Sequence, residues 1–173
     1  MSFFDFASLE KQGRTDTDIR FDNIDEARDR LFDLVGGLSR SIRIYTPDLE
    51  PLLLDNENLI TRLVDLSRGN RHAQIQILCQ NTSFAVQRGH RLLRLAQTLT
   101  SAMQIQVPPA EYAEDSVAFI LGDMSQVFFR TNTSTYQGIY NADCKVRAQK
   151  LDDLFTLIWE QSQTDPETQN LHI

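Results

Sequence analysis

The sequence predicts a layered α/β fold, with a mixed, mainly parallel sheet flanked by helices. Three short alternating runs, Ser41 to Thr46, His72 to Cys79 and Met103 to Val107, are separated by stretches with helical spacing. Strands joined through helices favour parallel pairing with right-handed crossovers. Farther on, Ser116 to Leu121 and Gln126 to Arg130 flank the turn Gly122-Asp123 and read as a hairpin, which makes the sheet mixed.

Taken in order, residues 1–17 set Phe3, Phe4 and Phe6 among polar residues, follow neither period and read as a tail. Ile19 to Phe21 is a short strand or lead-in, and Asp22 or Asn23 caps a helix carrying Ile24, Ala27, Leu31, Leu34 and Val35 to the stop at Gly36-Gly37. Pro47 ends the strand 41–46 because it has no N–H to donate. A second helix over residues 56–68 aligns Leu59, Ile60, Leu63, Val64 and Leu66 and stops at Gly69-Asn70. A third begins near Thr82 or Ser83 and runs through Phe84, Val86, Leu92, Leu93, Leu95, Ala96 and Leu99. Residues 131–143 read as a polar loop, Ala148 to Trp159 as a closing helix and residues 164–173 as a second tail. One domain over residues 18–163 is therefore expected, and 173 residues suffice for a core burying roughly 70% of the unfolded surface.

Composition narrows the partners. Acidic residues outnumber basic ones, 24 to 17, for a net charge of -7. Such a balance repels phosphate backbones unless the basic residues cluster, so neither nucleic acid nor membrane is expected as a partner. Two cysteines, Cys79 in an apolar run and Cys144 in a polar one, suit a reducing compartment, and a cytoplasmic location is expected. Met1 to Phe6 offers no basic n-region and no run reaches the length of an apolar span, so neither export nor membrane insertion is expected.

The chemical signatures are sparse. No GxGxxG, GxxxxGK[ST], GxSxG, HExxH or CxxC string occurs, and with only His72, His90 and His172 a metal site is not expected, nor is a cofactor. Two groups of residues stand out as ligand contacts. The first is Arg88, His90 and Arg91, with Gln87 and Arg94 at helical spacing, because guanidinium groups match carboxylate and phosphate. Solvated arginines on a helix surface are the plainer reading of the same pattern. The second lies where open α/β sheets take their ligands, at the C-terminal strand ends: Tyr45, Thr46 and Asp48 after one strand, Gln80, Asn81 and Thr82 after another. Helix capping by the Asn81 stretch and a turn at Asp48 explain those residues equally well. Asp123 in the hairpin turn, Arg130 at the end of an apolar strand and Asn132 beyond it complete the candidates. An inward-pointing Arg130 requires an anionic partner.

The segment 115–133 and the element order resemble a phospholipase-D-type domain, whose motif is His-x-Lys-x-x-x-x-Asp followed by a Gly-Ser-x-Asn-like strand end. The resemblance implies a nucleophilic His and a phosphate-holding Lys. With Asp123 aligned to the motif Asp, Ser116 stands at the His position and Ala118 at the Lys position. Neither side chain does that chemistry, so no catalytic residue carries over. More narrowly, Ile42-Arg-Ile-Tyr-Thr-Pro-Asp-Leu-Glu50, Arg88-Gly-His-Arg-Leu92 and Phe155-Thr-Leu-Ile-Trp159 resemble an uncharacterised bacterial phospholipase-D-like domain, also fused to GNAT-type acetyltransferases, over about residues 17–162. The fused relatives imply a regulatory module with an acetyltransferase partner, and the degraded motif, with the polar strand ends and the arginine-rich helix kept, points to a binding module for an anionic small ligand. The alternatives are an enzyme using His90, or Asp48 with Tyr45, and a homodimerising interaction domain.

Overall fold

In the computed structural model, described here for Leu9 and residues 17–169, one mixed sheet is sandwiched between two helical layers. In chain order the elements are β1 (Ile19–Phe21), α1 (Ile24–Gly36), β2 (Ser41–Thr46), α2 (Pro51–Leu54), α3 (Glu57–Gly69), β3 (Gln74–Cys79), α4 (Ser83–Arg88) and α5 (Arg91–Thr98). They continue with β4 (Met103–Gln106), β5 (Ala118–Gly122), β6 (Gln126–Arg130), β7 (Gly138–Asn141), α6 (Lys145–Gln161) and α7 (Pro166–Gln169). The strand order is β1-β7-β6-β5-β2-β3-β4.

The expected βα units are present: β2, β3 and β4 pair in parallel, Ile42 opposite Ile75 and Ile75 opposite Met103. The hairpin is also present, with β5 antiparallel both to β6 and to β2. The antiparallel share of the sheet exceeds the sequence reading, because the stretch read as a loop over residues 131–143 contains β7, which pairs β6 and β1. Only Ile139 and Tyr140 mark that strand as apolar, too few to show an alternation. Residues 164–169 likewise depart from the tail expected there: Val107 and Gln163 exchange backbone hydrogen bonds, and Thr168 is buried. The rest of that stretch, and nearly all of the expected N-terminal tail, lie outside the described residues, although Leu9 is buried in the core.

Alternation along each strand builds two cores. On one face Ile42, Ile44, Ile75, Ile77, Ile120 and Phe128 meet the apolar stripes of α1, α3 and α5. On the other, Tyr45, Leu78, Phe119, Leu121 and Phe129 meet Leu151, Phe155 and Ile158 of α6. Caps fix the helices against these faces. The Asn23 side chain accepts from the Glu26 N–H at 2.9 Å while the Glu26 carboxylate accepts from the Asp22 N–H at 2.8 Å, a reciprocal arrangement at the start of α1.

One expected helix is two. The apolar pattern of residues 83–99 runs through a break at Gly89, whose φ of 75° takes the chain out of the helix. His90 restarts it as the N-cap of α5, with Nδ1 accepting from the Leu92 N–H at 3.1 Å. Gln87, His90, Arg91 and Arg94 therefore do not share a continuous helix face.

Candidate functional site

Because β5 runs antiparallel to β2, the start of β5 and the end of β6 lie at the same sheet edge as the C-terminal ends of β2, β3 and β4. There Tyr45, Thr46, Asp48, Ser116, Ala118, Arg130 and Asn132 collect. Alternation assigns them to faces. Thr46 follows Ile42 and Ile44 on the α1 side, and Ala118 and Arg130, exact cross-strand partners, lie on that same side. Tyr45 points to the α6 side, where its hydroxyl donates to Asp115 at 2.8 Å and Gln80 Nε2 donates to the Tyr45 oxygen at 3.3 Å. Burial pushes the Tyr45 phenol well above its ordinary range, partly offset by the Gln80 hydrogen bond.

Arg130 dominates the edge. Its side chain has no exposed surface. Nη1 donates to Glu50 Oε1 at 2.5 Å, Nη2 to the Thr135 and Thr133 carbonyls at 2.7 and 3.2 Å, and Nε to the Thr135 carbonyl at 3.2 Å. The guanidinium lies 5.0 Å from the centre of the Tyr136 ring. The inward arginine thus has the anionic partner that the sequence required, and the partner is a residue sequence reasoning did not single out. Burial raises the Glu50 carboxyl above the ordinary carboxylate range, while the Arg130 charge acts against that rise.

Glu50 sits on an unusual turn. Leu49 and Glu50 adopt φ values of 66° and 30°, the left-handed region that non-glycine residues enter at a cost. Two contacts hold it there: Asp48 Oδ1 accepts from the Glu50 N–H at 2.9 Å, and His90 Nε2 lies 2.9 Å from the Leu49 carbonyl. Since Nδ1 of His90 already accepts from Leu92, the hydrogen must reside on Nε2, which donates to Leu49. Burial holds the His90 pKa below its ordinary value, opposed by that carbonyl. His90 is therefore a buried strut between α5 and the β2–α2 turn.

The remaining candidates do not join the Arg130 contacts. Arg91 reaches Asp55 at 3.8 Å, Arg94 donates to the Gly89 carbonyl at 2.9 Å, and Arg88 lies 4.5 Å from the centre of the exposed Phe84 ring. All three arginines are exposed, around the turn that His90 occupies. Asn132 spends its side-chain oxygen on the Ser134 N–H and hydroxyl. Asp123 lies at the opposite end of the sheet, where its carboxylate accepts from the backbone N–H groups of Ser39, Arg40 and Ser41 and from the Ser39 hydroxyl. It does not converge with Arg130, Asp48 or His90. A cavity of about 440 Å³ lies elsewhere, between α5, the β4 edge and α7, and its lining residues, among them Leu93, Ala96 and Ile105, include no titratable side chain. Among the described residues, no His, Cys, Asp and Glu side chains group to hold a metal ion, and no helix is long and apolar enough to cross a membrane. Cys79 is buried, its thiol pushed up to about 12.

The seven-stranded mixed sheet with helices on both faces is a phospholipase-D-like α/β fold. Over residues 23–171 the chain matches, and so belongs to, the family described as Domain of unknown function (DUF7931). None of the curated proteins compared with the sequence matches it. Solved structures of similar fold include Nuc, a phospholipase D family member from Salmonella typhimurium, at 11% identity and TM-score 0.59, covering 86% of this chain and 98% of that one. NucT from Helicobacter pylori is similar at 13% identity and TM-score 0.57, with coverages of 86% and 98%. TrmBL2, an archaeal chromatin protein with a novel mode of DNA binding, is similar at 12% identity and TM-score 0.64 over 91% of this chain. The match spans only 57% of the TrmBL2 chain. This last similarity corrects the partner expectation drawn from net charge. A DNA-binding protein carries this fold, so an overall charge of -7 does not exclude nucleic acid.

Proposed function

We propose that this domain is a non-catalytic module that recognises phosphate groups, those of nucleic acid included, on a phospholipase-D-like scaffold. The observation carrying the reading is the pairing of Ala118 with Arg130 across β5 and β6. A methyl group and the Ser116 hydroxymethyl stand where the motif chemistry needs a cation and an imidazole, and the nearby guanidinium is engaged by Glu50. His90, the buried histidine nearest the edge, has both ring nitrogens committed to backbone groups and is not placed to attack phosphorus.

Recognition is supported by the exposed Arg88, Arg91 and Arg94 around the α4–α5 turn, a local cationic cluster in an acidic chain. Arg88 and Arg94 have no acidic partner within ion-pair distance among the described residues. Free thiols at Cys79 and Cys144 fit a cytoplasmic setting.

Fluorescence anisotropy with a labelled oligothymidylate, alongside gel analysis of the same strand, tests both halves. Salt-dependent binding without cleavage is expected, weakened by Arg88→Glu/Arg91→Glu. Cleavage of the strand, or binding indifferent to both charge reversals, counts against the reading.

A further inference from the structure

The cation and the anion of the buried pair are held by different parts of the chain. Carbonyls of Thr133 and Thr135 and the ring of Tyr136, all in the loop between β6 and β7, fix the Arg130 guanidinium without any contribution from Glu50. Glu50 comes from the β2–α2 turn, where two consecutive residues carry left-handed backbone. Non-glycine residues enter that region at a cost the surrounding contacts must offset. Among the described residues, the carboxylate meets Arg130 through Nη1 alone, and its second oxygen has only the Thr46 hydroxyl, at 3.5 Å. Asp48, which braces the turn, is exposed. Release of the turn would uncover a preformed, desolvated guanidinium. On its sheet face lie the Thr46 hydroxyl, the exposed Ser116 hydroxyl and, directly across the ladder, only the methyl of Ala118.

We infer that Arg130 anchors a phosphate-binding site in which the Glu50 carboxylate occupies the ligand's place, and that a phosphate group binds by displacing Glu50 and its turn. A phosphate offers more acceptor oxygens than the carboxylate it replaces, and guanidinium is matched to it in a two-pronged geometry. The Thr46 and Ser116 hydroxyls supply further donors. This site rests on the proposed non-catalytic reading only in treating phosphate as ligand rather than substrate.

Isothermal titration of inorganic phosphate, and of an oligothymidylate, into the full chain and its Glu50→Gln variant tests the site. The amide keeps the shape of the plug and removes its charge, so phosphate affinity is expected to rise by about tenfold, with no response to chloride at matched ionic strength. Glu50→Gln/Arg130→Met removes both charges, and Glu50→Gln/Arg130→Lys keeps a cation without the fork. With folding verified by circular dichroism, the Met variant should lose that gain and the Lys variant should fall between. A gain seen with both ligands supports recognition of the phosphate group itself, and a gain confined to the oligonucleotide supports nucleic acid as its source. Equal affinities of wild type and Glu50→Gln for both ligands, or the Glu50→Gln gain retained in the folded Met variant, would overturn the site. Hydrolysis of bis(p-nitrophenyl) phosphate by Glu50→Gln would overturn the non-catalytic reading while leaving the binding site standing.

Discussion

Arg130 stands directly across the β5–β6 ladder from Ala118, and its guanidinium is drawn to Glu50 at 2.5 Å. Facing residues of an antiparallel pair have adjacent side chains, so a cation introduced at 118 would meet one already there. Ala118→Lys is expected to lower stability by at least about 2 kcal/mol in urea denaturation, through burial of an unpaired charge. Ser116→His/Ala118→Lys, which rebuilds the motif positions, is expected to gain no phosphodiesterase activity while Glu50 remains. Turnover in that double variant would contradict the occlusion of this edge by Glu50.

The Arg130–Glu50 pair should show strong coupling. Removing one partner leaves the other charged and buried, so Arg130→Met alone is expected to cost about 3–5 kcal/mol. With Glu50→Gln added, much of that loss should return, because neither charge is then left unmatched. A double-mutant cycle by chemical denaturation measures the coupling, and additive losses would show the pair to be energetically independent.

His90 makes stability depend on pH. Its folded pKa is depressed by burial, so between the folded and unfolded values the unfolded chain binds the extra proton. Stability from this group is present above the unfolded value, about 6.5, and is lost as pH falls below it. Asp55 and Asp48 act against the depression and Arg91 with it. His90→Asn keeps an N-cap acceptor and cannot titrate. Melting temperatures of wild type should therefore fall more steeply than those of His90→Asn between about pH 6.5 and 5.

Gly138 is required for space. A Cβ there would lie 2.4 Å from the Phe129 carbonyl oxygen, 2.5 Å from Phe21 Cζ and 2.7 Å from Arg130 Cγ. Backbone cannot yield as a flexible side chain does, so Gly138→Ala is expected to cost about 3 kcal/mol by urea denaturation and to disturb the Arg130 site.

Asp123 belongs to the architecture of the far end of the sheet. Asp123→Ala removes the acceptor for three backbone N–H groups and one hydroxyl, and about 2 kcal/mol of stability should go with it. Phosphate affinity at the Arg130 edge should be unchanged. A selective loss of binding with stability intact would return Asp123 to the ligand site.

The parts of the fold that could be read from the sequence are those in which burial imposes a period. Ile42, Ile44, Ile75 and Ile77 alternate because one face of β2 and β3 is core, and the α3 stripe repeats because one side of that helix meets it. The same signal misled at Gly89: the apolar residues continue through the break, since α4 and α5 both pack on one core. β7 was hidden because its two apolar residues are set among polar ones. At the site, Arg130 stood out as a charge ending a buried strand, and an anionic partner was required on energetic grounds alone. Its identity was not legible: Glu50 lies 80 residues away, in a turn whose left-handed conformation no residue type announces.

The claim on which the rest depends is that this edge performs no phosphoryl chemistry. Its most direct test mixes the full chain, in molar excess, with bis(p-nitrophenyl) phosphate and follows p-nitrophenol release together with the intact protein mass. Release at the buffer rate and an unmodified mass are expected. A burst stoichiometric with the chain, or a phosphoryl adduct on one of its histidines, would contradict it.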